Sequence, residues 1–307
     1  MNGTTTSHDE FWADLDGELG AVPPALELKR HAYLSGPEYT VYMARFSSLG
    51  HHRVTGYLSI PTAPGPHSGL LELPSRYGSV VHVPHPNDRR RHVVLTLMHR
   101  GQRLSDVPLK ASFPGFFSRG IEDPRTWVYR GVVADCLRAS EVLASIEAVD
   151  PSRIGAVGDD STIIVAARRQ SLAAIRVDVV RYSGAWSRRR STDAYPLEEL
   201  NELERRNPSI AAKVESTLAM FDPAVQLASE VDVPALVTIP EGVDRQPYQR
   251  LIQALGAGAT AFPTSHFEYE HDDARDAWIS AQLGVEPMTR FDHAAGRRAA
   301  RAASDVA

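Results

Sequence analysis

Arg153-Ile-Gly-Ala-Val-Gly-Asp-Asp-Ser-Thr162 decides how this chain is read. Ile154–Val157 is a short apolar run, as expected of a strand buried on both faces of a sheet. Gly158-Asp159-Asp160 makes a tight turn, and Ile163–Arg169 continues at helical spacing. A strand running through a tight turn into a helix is the repeating joint of an α/β fold. The tip of this turn is Asp160, with Asp159 before it and Ser161 after it.

The alternation extends in both directions. Phe11, Trp12, Leu15 and Leu19 recur at helical spacing and predict an amphipathic helix. Residues 39–46 and 53–60 alternate apolar and polar side chains around a turn at 47–50 and predict two strands. Residues 69–73 and 92–98 read as buried strands, 127–146 as a helix, and 177–182 as a further strand. Residues 194–220 are helical and charged, and read as an insertion over the sheet. Strands at 235–239 and 259–262 and helices at 246–255 and 274–283 complete the series. The expectation is α/β, a doubly wound, mostly parallel sheet with right-handed crossovers. Residues 1–9 are expected to be flexible, 10–285 to form one domain, and 286–307 to be a disordered tail.

Bulk properties bound the function. The 307 residues are 43% hydrophobic, enough for a large core. The formal net charge of −5 argues against a general nucleic-acid binder. The one cysteine, Cys136, excludes an intramolecular disulfide and a four-cysteine zinc site. Val132, Val133, Leu137 and Val142 surround it at helical spacing and predict a buried thiol. The N-terminus lacks a basic-then-apolar secretion pattern, and no apolar run approaches the ~20 residues of a membrane span. A soluble, cytoplasmic protein without a membrane partner is the expectation.

Several segments together carry a resemblance. Met98-His-Arg-Gly-Gln102, the stretch 120–143 with its Gly-Ile and Tyr-Arg, Val149-Asp-Pro-Ser-Arg-Ile-Gly155, Phe221-Asp222 and Val233-Pro234 occur in the order found in the acetylxylan esterase / cephalosporin C deacetylase family. The resemblance covers about residues 10–284. It implies a single α/β-hydrolase domain that needs no cofactor or metal, and homo-oligomers that include hexamers. It also implies cleavage of acetyl esters of small molecules by serine, histidine and aspartate, with two backbone N–H groups as oxyanion hole.

Residue by residue, the family's Gly-x-Ser-x-Gly elbow keeps Gly158, but Asp160 stands at the serine position and Thr162 at the second glycine. The acid position matches Asp244, with Glu241 as the alternative. The histidine position matches His266, with His271 as the alternative. The first oxyanion donor falls on the N–H of Arg76 or Tyr77, in a turn that has lost the family's His-Gly. The second falls on the N–H of Ser161. Trp186 and Asp159 are expected near the substrate pocket.

Asp160 leaves several chemistries open. Aspartate is the nucleophile of haloalkane dehalogenases and epoxide hydrolases, which share this fold and attack an sp3 carbon. Two adjacent carboxylates in a dry site raise at least one pKa, which suits a general base for elimination. Ser161 could serve through a shifted elbow, or the site could be catalytically silent. The leading expectation is a divergent esterase acting on an acetyl ester of a small molecule. Elsewhere, His51, His52, His82 and His85 lack zinc-like companions and read as loop histidines. Arg89–Arg91 and Arg188–Arg190 read as solvated runs, and Glu122/Asp123 and Asp272/Asp273 as helix N-terminal charges.

Overall fold

The computed structural model describes residues 7–75, 83–110, 114–169, 171–192, 194–265 and 268–288. The first helix, α1 (His8–Gly20), starts with a capping box. The Ser7 hydroxyl accepts from the Glu10 N–H, and the Glu10 carboxylate accepts from the Ser7 N–H. Its Phe11, Trp12, Leu15 and Leu19 are buried, as their spacing predicts. Three strands follow, β1 (Glu27–Arg30), β2 (Tyr39–Ser47) and β3 (Arg53–Pro61), paired antiparallel. Next come β4 (His67–Glu72), α2 (Pro86–Arg91), β5 (His92–Met98), α3 (Val128–Ala144), β6 (Val149–Asp159), α4 (Ser161–Arg168) and β7 (Leu172–Val179). The chain then forms α5 (Ala185–Arg188), α6 (Leu197–Arg206), α7 (Ala211–Met220), β8 (Ala235–Ile239), α8 (Gln246–Leu255), β9 (Ala259–Pro263) and α9 (Glu268–Gln282).

The nine strands form one sheet in the order β1-β2-β3-β5-β4-β6-β7-β8-β9. From β5 through β9 all neighbours are parallel. Helices cover both faces, so the sheet is doubly wound. The larger core lies on one face, with α1, α3, α4 and α8. The smaller joins Leu70, Val94, Val157 and Ala174 to Ile279 and Leu283 beside α9. Chain order reverses at β4, which sits between β5 and β6. Beyond the carboxyl ends of strands at such a switch lies the usual ligand crevice of open α/β sheets. Asp159 and Asp160 stand there. No helix among the described residues is long and apolar enough to cross a membrane.

Four expectations are corrected. The strand read at 177–182 is β7, Leu172–Val179; the N–H groups of Arg181 and Tyr182 go to Asp160 instead of a ladder. The closing helix starts at Glu268, so Asp272 and Asp273 lie beyond its first turn and Asp272 pairs with Arg275. The basic runs are not simply solvated. Arg89 is buried over the Tyr39 ring at 4.5 Å, Arg91 reaches Asp88 and Ser280, and Arg189 lies over the Trp186 ring. His52 is buried and donates to the Ser105 carbonyl at 2.8 Å. Cys136 is buried as expected. The expected tail falls outside the described residues after 288.

The Arg-Gly-Gln segment ties the loop after β5 to α3. Arg100 donates from its backbone N–H (2.8 Å) and Nε (3.0 Å) to Asp135 Oδ2, and from Nη2 to Asp135 Oδ1 (2.8 Å). Its Nη2 also reaches the Leu49 carbonyl, 3.1 Å away. Gly131 makes room for this, since a Cβ there would overlap the guanidinium. Burial alone would raise the Asp135 pKa, but Arg100 outweighs it and holds the group below its ordinary value. Removing one partner of such a pair leaves the other charge uncompensated. Asp135→Ala should therefore cost about 3–5 kcal/mol in urea unfolding. A loss below about 1 kcal/mol, the scale of a surface pair, would show the bridge to be incidental.

Candidate functional site

The site begins where β6 passes the end of β4. A Cβ at Gly158 would meet the Cβ and carbonyl oxygen of Leu73 at 3.0 Å, so only glycine lets the strands approach this closely. The next residues turn directly into α4. Asp160 has φ −64° and ψ −3°, an ordinary right-handed helical conformation. A nucleophile elbow instead holds its tip in a strained turn that lifts the side chain into the pocket. The described non-glycine residues with positive φ are Ala25, His51 and Leu104, all remote from this turn in sequence. Asp160 is accordingly 1% exposed.

Its carboxylate faces the loop after β7. Asp160 Oδ2 accepts from three consecutive backbone N–H groups, those of Arg181 (3.1 Å), Tyr182 (2.7 Å) and Ser183 (2.9 Å). The fourth, of Gly184, goes to Asp222 Oδ2 at 2.8 Å, and Asp222 Oδ1 accepts from Ala224 at 3.0 Å. Successive N–H groups of this kind form an anion-binding concavity, and here the anion is supplied by the protein itself. Asp160 Oδ1 is buried and has no hydrogen-bond partner among the described residues. Burial, and next the neighbouring Asp159, push the Asp160 pKa up to about 7, against the pull of the three N–H groups.

Asp159 and Ser161 form a second buried knot. Asp159 Oδ1 accepts from the Ser161 N–H (3.0 Å) and the Ser161 hydroxyl (2.5 Å). Ser161 Oγ also lies 3.9 Å from Cys136 Sγ on α3, and is turned toward the core. Its N–H, the expected second oxyanion donor, is thus committed to Asp159. Arg181 bridges the two sides of the switch point. Its Nε is 3.6 Å from Asp159 Oδ2, Nη1 donates to the Tyr195 carbonyl (3.2 Å), and Nη2 donates to the Ser75 carbonyl. Ser75 belongs to the turn after β4 where the first oxyanion donor was expected.

The remaining expected residues disperse. Asp244 is exposed and accepts from the Gln246 N–H at 3.0 Å, at the start of α8. Glu241 is exposed as well. Trp186 is partly buried, packed on the larger core. His266, Arg76 and Tyr77 lie outside the described residues, as does the side chain of His271. Among the described residues no group of three or more histidine, cysteine, aspartate or glutamate side chains could hold a metal. Arg181 and Asp222 escaped the reading of the sequence. The only signal was a cation just after an apolar strand, and the Phe-Asp pair itself. Phe221 packs on Phe11, Trp12, Trp127 and Tyr129 while Asp222 pins the loop.

The Asp160 proton gives a pH test. An unfolded aspartate ionises near 3.8, whereas the folded group holds its proton up to about pH 7. Folding takes up a proton across that window, so this contribution to stability is lost as pH rises through it. Asp160→Asn keeps an acceptor oxygen and cannot ionise. Between about pH 5 and about pH 8 the natural chain should lose on the order of 2 kcal/mol more than the variant in urea unfolding, at about 1.4 kcal/mol per pH unit. Parallel losses would show that Asp160 does not titrate there.

Comparison with known proteins agrees with this architecture. The family model of acetyl xylan esterase (AXE1) matches residues 2–244. The acetyl xylan esterase of Paenibacillus sp. R4 superposes with a TM-score of 0.76 at 19% identity, over 91% of this chain and 95% of that one. Acetyl xylan esterase 1 of Thermoanaerobacterium sp. JW/SL YS485 gives 0.67 at 18% identity, over 86% and 87%. A puromycin-hydrolyzing peptidase of Mycobacterium tuberculosis gives 0.54 at 13% identity, over 83% of this chain and 51% of its own. With an α/β-hydrolase sheet, its switch-point turn and a family match over most of its length, the chain belongs to the acetyl xylan esterase family.

Proposed function

We propose that this chain is a non-hydrolytic member of the acetyl xylan esterase family, a protein that binds a small molecule without cleaving esters at the elbow. One observation carries the reading. The carboxylate at the nucleophile position is 1% exposed and spent on three backbone N–H groups. A nucleophile must reach a substrate carbon with a free lone pair and a nearby base. Asp160 is directed at the protein's own backbone. Ser161 is worse placed, with its hydroxyl and N–H both bound to Asp159. Arg181 spans from Asp159 to the Ser75 carbonyl and so ties the elbow to the turn after β4.

A second reading has its own support. Asp160 Oδ1 is without a partner among the described residues, and its proton is held up to about pH 7. Those are properties of a general base, and elimination needs a base and no acyl-enzyme. That reading requires the loop 181–184 to open, because Oδ1 is buried in this conformation.

Hydrolysis of p-nitrophenyl acetate by the natural chain, Asp160→Ala and Ser161→Ala tests the proposal against ester cleavage at the elbow. Rates equal to buffer in all three are expected. Turnover that disappears in Asp160→Ala, or in Ser161→Ala, would overturn the proposal and identify the group at work. Asp160→Ala should also unfold at lower urea, by about 1–3 kcal/mol, because three N–H groups, two of them buried, lose their acceptor. Unchanged stability would mean the carboxylate does not hold the loop.

A further inference from the structure

A second concavity lies at the start of α3, lined by four arginines. It encloses about 410 Å³, within the range of about 300–1,000 Å³ typical of small-molecule sites. Arg100, Arg119, Arg125 and Arg130 line it together with Leu49 and Leu109, and no carboxylate is among the described lining residues. Three of these cations are ion-paired to carboxylates outside the lining. Asp135 holds Arg100, Asp14 holds Arg125 at 2.7 Å, and Glu18 holds both terminal nitrogens of Arg130 at 2.9 and 3.0 Å. Arg119 has no carboxylate partner among the described residues; it donates to the Lys110 carbonyl at 3.2 Å. Three of the four guanidinium groups are thus ion-paired, and Arg119 is the one left without a carboxylate among the described residues.

The backbone adds to this field. The N-cap of α3 is Trp127, no side chain caps the helix, and no acidic residue occupies its first turn. Backbone carbonyls already accept from two of its first N–H groups, Val128 to Arg119 and Arg130 to Trp127, both at 3.0 Å, so the 17-residue helix adds its dipole and not a row of free donors. Arg130 is only 6% exposed, and its Nε has no hydrogen-bond partner. Guanidinium forks suit tetrahedral oxyanions.

We infer that this cavity binds a small organic phosphate, with the phosphoryl group among Arg119, Arg125 and Arg130 and the organic part against Leu49 and Leu109. The inference rests on the cavity alone, and ester hydrolysis at Asp160 would leave it untouched. Arg100 is fixed by Asp135 and serves as a wall.

Isothermal titration calorimetry on the full chain tests it, with inorganic phosphate and phenyl phosphate as probes and sodium chloride at matched ionic strength as the control. Saturable binding on the order of millimolar or tighter is expected, with phenyl phosphate the tighter ligand. Arg119→Gln and Arg125→Gln should each weaken it about tenfold or more, the effect of one charge-assisted hydrogen bond. Arg205→Gln, on α6, should leave it unchanged. Thermal melts establish that each variant is folded. No saturable heat with either probe would overturn the inference. So would equal affinity in the folded Arg119→Gln/Arg125→Gln double variant, or binding reproduced by chloride. Binding of inorganic phosphate with exclusion of phenyl phosphate would overturn the organic part.

Discussion

Three backbone N–H groups converge on one carboxylate oxygen, and the rest of the switch point is arranged around that contact. Residues 181–183 present their amides in succession, and Asp160 Oδ2 accepts all three. A carboxyl oxygen can accept from all three amides, and the charge it gains above about pH 7 matches the concavity. The contact explains three features at once. It ends β7 at Val179, since the next amides are withdrawn from the sheet. It draws the Asp160 side chain away from the crevice. It also lets the backbone at the turn relax into helical dihedrals, because nothing has to be lifted into a pocket.

Neighbouring groups follow from the same constraint. Two adjacent aspartates in a buried turn repel, and each has its own remedy. Asp159 takes the Ser161 hydroxyl and N–H, with Arg181 as its counter-charge. Asp160 takes backbone dipoles and holds a proton up to about pH 7. Arg181 then spans to the carbonyl of Ser75, tying the turn after β4 to the turn after β6. Arg188 repeats the device, donating to the carbonyls of Val180, Arg181 and Ser183. A loop closed in this way by guanidinium–carbonyl bonds has little need of regular secondary structure.

The basic runs show where charge patterns mislead. Arg89–Arg91 and Arg188–Arg190 look like solvated clusters, because a sequence displays charge without showing what the stem packs on. In the fold the guanidinium groups of Arg89 and Arg189 lie over aromatic rings, Arg188 and Arg189 reach carbonyls and a carboxylate, and Arg190 stays exposed. The arginines at the start of α3 are separated by up to thirty residues in sequence, so no local pattern announces them. Their meeting depends on the loop after β5 being pinned to α3 by Arg100 and Asp135.

Sequence alone determined the layering. Apolar runs of strand length alternating with helical periodicity admit a doubly wound sheet, and Phe11, Trp12, Leu15 and Leu19 mark the buried face of α1 from spacing alone. Helix α8 runs from Gln246 to Leu255, as its periodicity predicts. The segments shared with acetyl xylan esterases were legible because they are contiguous. The chemistry of the site was decided only in three dimensions. A motif names the residue at the tip of a turn, but not its dihedral angles or the direction of its side chain. For Asp160 those are set by a loop more than twenty residues later. Backbone N–H groups carry no sequence signature, so the partner that fixes this carboxylate could not be read from residue types.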